Sequence, residues 1–135
     1  MKVITRMLED ELYEAFTSDG IKAEVDMRDL PLKKAQSPVE LLLSSLSACG
    51  AVDIVLMLRK RKKTIEAFTI ETEGVRRSEP PRGLIAIHCR YIITSPDVTE
   101  TELNKTAKLS LEKYCSVAST LNAEITFSVQ VIKTV

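Results

Sequence analysis

Cysteines stand at positions 49, 89 and 115 of this chain, and a thiol is the side chain here that can form and break a covalent bond reversibly as a disulfide. Cys49 lies inside the apolar run LLLSSLSACGAVDIVLML, residues 41–58, and Cys115 inside LEKYCSVASTL, residues 111–121. Two thiols held on helices could act as a redox pair if the fold brings them together. A cysteine on a buried helix is also a small hydrophobe. Beside Cys49, the residues Ser47, Ala48, Gly50 and Ala51 leave room next to the sulfur, or mark close helix packing. Burial raises a thiol pKa, so a reactive Cys49 needs a donor or a cation nearby, and Asp53 one turn later opposes that unless it is neutralised. For Cys115, a helix starting at Ser116 would turn free amides toward the sulfur and favour the thiolate; the alternative is a core cysteine closing an amphipathic helix.

The remaining candidates narrow the chemistry. Cys89 sits between His88 and Arg90 in a strand-like run, where alternation sends His88 and Cys89 to opposite faces. A single histidine and the absence of a CxxC pair argue against a zinc site or a Cys–His hydrolase, so neither metal nor cofactor is expected. Phosphate-binding, dinucleotide-binding and nucleophile-elbow motifs are missing as well. The basic run Arg59–Lys63 could suggest nucleic acid. With 19 basic and 19 acidic residues the chain has no net charge, and the run reads better as a solvated helix end that complements the helix dipole.

The elements that must position these thiols follow from pattern. Strands are predicted over Lys2–Leu8, Leu12–Ser18 and Ile21–Met27, the last two joined by the turn dipeptide Asp19-Gly20. Asp29–Gln36 reads as a loop. Ser37-Pro38-Val39-Glu40 is a helix start, with Ser37 as cap, Pro38 in the first turn and Glu40 closing a capping box. That helix should run to about Lys62 and is apolar or small on every side, so protein must surround it. One domain of 135 residues can hardly do so alone, and a dimer partner is expected. Strands follow over Phe68–Glu73 and Leu84–Ile93. A second capping box, Thr99 with Glu102, opens a helix to about Tyr114; Cys115–Leu121 is a further short helix or its continuation, and Ala123–Lys133 a final strand. The order is βββ-α-ββ-α-β, an α+β class in a single domain, 1–135. Acidic residues near the N-terminus argue against a signal peptide. Glu40 and Asp53 argue against a membrane span. A cytoplasmic protein with reduced or transiently oxidised thiols is the expectation.

The segments SPVELLLSSLSACGAVDIVLMLRK and EKYCSVASTLNAEITFSVQV resemble the OsmC/Ohr family, the osmotically inducible and organic hydroperoxide resistance proteins, and are most similar to its OsmC-like branch. The resemblance implies an intertwined homodimer in which strands of both subunits form two large sheets with the central helices between them. It implies a thiol peroxidase, with Cys49 attacking an organic hydroperoxide, Cys115 resolving the product to a disulfide, and an external dithiol as reductant. Alkyl or fatty-acid hydroperoxides would suit the small apolar surroundings better than hydrogen peroxide. By the same resemblance, an arginine from the N-terminal region stabilises the thiolate and a glutamate on the central helix holds it; Arg28 and Glu40 are the residues placed in those roles. Glu40 stands nine residues before Cys49, which puts the two on opposite sides of a straight helix. The alternative from another class is a non-catalytic dimer that binds a small apolar ligand or senses redox state. Neither reading calls for nucleic acid or a membrane.

Overall fold

The structure, a computed structural model, describes every residue from Met1 to Val135. The chain packs as two compact units, Met1–Leu42 and Leu43–Val135.

In the first unit, β1 (Val3–Glu9), β2 (Leu12–Thr17) and β3 (Lys22–Asp26) form an antiparallel sheet in that order. The predicted hairpin is present. Gly20 adopts φ +82°, a left-handed conformation that a residue with a Cβ resists. Its amide donates to the Thr17 carbonyl at 3.0 Å. The apolar residues Val3, Ile4, Met7 and Leu8 of β1 are all exposed. The following loop is organised by the buried carboxylate of Asp26, which accepts from the amides of Arg28 and Lys34 at 3.0 and 2.8 Å. The predicted capping box then opens α1 (Pro38–Lys60): the Ser37 amide donates to Glu40 at 3.0 Å and the Glu40 amide to the Ser37 hydroxyl at 3.3 Å.

The second unit holds the rest of α1, β4 (Ala67–Arg76), β5 (Leu84–Ser95), α2 (Glu100–Leu109), α3 (Ser116–Thr120) and β6 (Glu124–Lys133). β5 is the central strand, antiparallel to β4 and parallel to β6. A parallel pair needs a long crossover, and here α2 and α3 supply it. Leu46, Ile54 and Leu58 on α1, four or eight residues apart, are fully buried with Ile87, Cys89, Tyr91 and Ile93, every second residue of β5. The two periods show which faces meet. The Thr99–Glu102 capping box starts α2 as expected.

The helix predicted to reach Tyr114 instead ends at Leu109 and widens into a π-helical turn, Ser110–Tyr114. The Cys115 amide donates to the Ser110 carbonyl at 2.7 Å, one residue further back than in an α-helix. By length and composition α1 could also cross a membrane. Core helices meet the same test, and burial of Leu46, Ile54 and Leu58 together with a polar Asp53 at mid-length is the pattern of a core helix. Val52 and Leu56 on its far side remain exposed.

Candidate functional site

In the second unit the Cys49 and Cys115 thiols are near enough to interact, Cys49 helping to raise the Cys115 thiol. Both are free thiols; Cys49 is half-buried and Cys115 only 3% exposed. Each position has a local cause. Cys49 lies one residue before Gly50, on the part of α1 that packs on β5. Cys115 ends the π-helical turn and is the N-cap of α3, where its sulfur accepts from the Ala118 amide at 3.4 Å. The expected orientation of Cys115 toward free amides is therefore present. Its consequence is outweighed: burial pushes the Cys115 thiol up to about 11, the Ala118 amide opposes the rise, and the Cys49 thiol adds to it.

Around the pair lies a polar cluster, and no sequence motif pointed to two of its members. Ser110 Oγ donates to Asp53 at 2.9 Å and contacts the Gly50 carbonyl at 3.3 Å. Thus Asp53 is met by a hydroxyl. Tyr91 is fully buried on β5, two residues after Cys89 and on the same face. Its phenol is pushed far above its ordinary value, chiefly by burial and then by the Cys89, Cys115 and Asp53 groups near it. Tyr91 Oη has no hydrogen-bond partner of normal geometry. The alternation of HCRYII was the available signal, since it puts Cys89 and Tyr91 on one face; which thiols they would meet was not readable. His88 does point the other way, its ring nitrogens bonded to Thr126 and Ser128 at 2.8 and 3.0 Å. Cys89 is fully buried and its thiol is raised by desolvation.

Arg28 and Glu40 belong to the first unit. The Arg28 guanidinium grips Asp26 through Nε and Nη2 at 3.0 and 2.9 Å, and reaches Glu9 through Nη1. The hydrogen bond from Arg28, ahead of the amide bonds, holds Asp26 well below the usual carboxylate range. Glu40 is bonded by Lys33 and by Ser37, which hold it down to about 2. The partners of Arg28 are thus Asp26 and Glu9, and those of Glu40 are the Lys33 ammonium and its own helix cap.

The family profile described as OsmC-like protein matches residues 31–130, a span that includes the Glu40 cap, both cysteines and most of β6. The chain belongs to the OsmC-like family. This OsmC-like protein is 35% identical over 101 residues to Protein YhfA of Escherichia coli strain K12, covering 73% of this chain and 75% of YhfA. It is 29% identical over 121 residues to the hydroperoxide reductase of Mycoplasma pneumoniae, covering 87% of this chain and 84% of that protein. A hypothetical protein from Aquifex aeolicus VF5 has the same fold, with a TM-score of 0.87 at 27% identity over 99% of this chain and 97% of the other. The α+β fold expected for the OsmC-like chain is therefore shown by both sequence and structure.

Proposed function

We propose that this OsmC-like protein reduces organic hydroperoxides through Cys49 and Cys115. The observation that carries the reading is the adjacency of two free thiols with unequal access, Cys49 half-buried and Cys115 sealed. Similarity to a Mycoplasma pneumoniae hydroperoxide reductase supports it. The outer sulfur meets the oxidant: the Cys49 thiolate attacks the distal oxygen of the hydroperoxide, the O–O bond breaks, and the alkoxide takes a proton and leaves as the alcohol. Cys49 is left as a sulfenic acid. The Cys115 sulfur then attacks the Cys49 sulfur, the S–O bond breaks, water leaves, and an external dithiol reduces the resulting disulfide. In this proposal Glu40 is the acid that fixes the start of α1.

The subunits work as a homodimer in this reading, and a second copy covers apolar residues left exposed in each unit, Val52 and Leu56 on α1 and Val3, Ile4 and Met7 on β1. The protein acts in the cytoplasm, where a dithiol reductant is at hand. Mass spectrometry after a brief organic hydroperoxide pulse is expected to find a Cys49–Cys115 disulfide. Cys49→Ser should abolish hydroperoxide consumption, and Cys115→Ser should let Cys49 proceed to sulfinic acid. Both thiols still reduced after the pulse would refute the peroxidase assignment, and a monomer by light scattering would refute the dimer.

A further inference from the structure

We propose that Ser110 is a positioning residue for disulfide closure: its hydroxyl and its own carbonyl pin the widened turn that carries Cys115 against α1 at the level of Cys49. The assignment rests on the hydroperoxide reading above and deepens it.

Ser110 is fully buried where α2 passes into the π-helical turn. Its side chain reaches across to α1, donating to Asp53 Oδ2 at 2.9 Å and contacting the Gly50 carbonyl at 3.3 Å. Gly50 follows Cys49 directly, and Asp53 stands four residues after Cys49, on the same side of the helix. A Cβ on Gly50 would come 3.5 Å from Ser110 Oγ, so the turn and α1 are in contact at that level. The main chain of the same serine serves the other cysteine. Its carbonyl accepts from the Cys115 amide at 2.7 Å, the bond that makes the turn one residue wider than an α-turn. Ser110 thus ties the backbone at both cysteines through bonds that involve neither sulfur.

A buried hydroxyl in a helix has a local alternative, which is to bond back to a carbonyl of the preceding turn. Thr106, one turn earlier and equally buried, does so, donating to the Leu103 carbonyl at 3.0 Å. Ser110 spends its proton on the neighbouring helix instead. Closure needs that tie. The Cys115 sulfur joins the Cys49 sulfur as the S–O bond of the sulfenic acid breaks, and the Cys115 proton leaves with the hydroxide as water. A disulfide forms only over a narrow range of separations and directions, and misplacing reacting atoms by about 1 Å costs on the order of 10²-fold.

The test is the stability of the Cys49–Cys115 disulfide in the full chain, equilibrated with reduced and oxidised dithiothreitol and quantified by thiol alkylation and peptide mass. In that exchange dithiothreitol gives two electrons and two protons to the protein disulfide and closes to its own ring. Ser110→Ala is expected to disfavour the protein disulfide about tenfold, a potential about 30 mV less negative. After an organic hydroperoxide pulse, Cys49 oxidation should keep its rate within about twofold, while closure slows about tenfold and sulfinic acid accumulates. Thr99→Ala, which weakens α2 at its other end, should leave the potential in place. An unmoved potential in Ser110→Ala overturns the positioning role even if the variant is less stable, and an equal shift in Thr99→Ala overturns it as general loosening. A parent chain that forms the disulfide in this buffer yet consumes no hydroperoxide refutes the peroxidase reading, and the Ser110 comparison still decides the positioning. A parent chain that forms no such disulfide overturns both. Should Ser110→Ala not fold, Asp53→Ala combined with it leaves no carboxylate unpaired; relative to Asp53→Ala alone, whose Ser110 hydroxyl keeps the Gly50 carbonyl, the pair must shift the potential in the same direction, and no shift overturns the proposal.

Discussion

Gly50→Ala offers a direct measure of how closely Tyr91 presses on the helix that carries Cys49. Gly50 lies within α1, where replacing glycine by alanine ordinarily stabilises a protein by about 1 kcal/mol, because glycine loses the most backbone freedom on folding. At this position the new Cβ would meet Tyr91 Oη at 3.2 Å and Ser110 Oγ at 3.5 Å. The second distance is ordinary contact. The first is tight, and the oxygen belongs to a ring held between core side chains, so it cannot swing away cheaply. Overpacking of this kind costs about 1–3 kcal/mol. The net effect should be a loss of about 0–2 kcal/mol. With Tyr91→Phe in place the oxygen is gone, and the same Gly50→Ala change should become stabilising by about 1 kcal/mol. The two substitutions should therefore couple by about 1–3 kcal/mol, which a double-mutant cycle of urea midpoints at constant m would show. Gly50→Ala that stabilises the parent chain by the full helix-propensity gain, or a cycle that closes additively, would refute the close approach on which the argument depends.

Three other outcomes follow from the same physics. Thr99→Ala removes the cap of α2 and should cost about 1 kcal/mol of stability, read from the urea midpoint. The raised Cys115 thiol contributes stability that is complete below its unfolded value of 9.0 and is lost as pH climbs toward about 11. Denaturation followed across that interval should lose part of its alkaline slope in Cys115→Ala. Asp26 has the opposite sign: Arg28 depresses it, so its contribution is complete above its ordinary value of 3.8 and drains as pH falls below that. Asp26→Asn should flatten the acid limb of the same experiment and loosen the 29–36 loop, seen as faster hydrogen exchange at the Lys34 amide that Asp26 now holds.

What could be read from the chain were features whose cause is local. Ser37 with Glu40, and Thr99 with Glu102, marked two helix starts because the capping partners are three residues apart. Asp19-Gly20 marked the hairpin because only one of its residues needs a positive φ. Alternation in β5 separated His88 from Cys89 correctly. Features that depend on distant neighbours were hidden. The amphipathic pattern through LSLEKYC cannot distinguish an α-turn from a π-turn, since both keep Leu109 and the segment around it on the core side. Nothing in the spacing says that β5 and β6 run parallel. Tyr91 becomes interesting only when α1 is laid across β5, and Ser110 only when it meets Asp53. The partner of Glu40 proved to be Lys33, a residue with no motif to announce it.

The widened turn at Ser110–Tyr114 has a consequence for how this protein can vary. An extra residue in one helical turn rotates all that follows by about 100°, so the facing of the sulfur at 115 is set by how many residues precede it as much as by which they are. Losing one residue between 111 and 114 would preserve every side chain discussed above and still swing the thiol off its neighbour. Chain length in that single turn is a trait that selection can act on separately from chemistry.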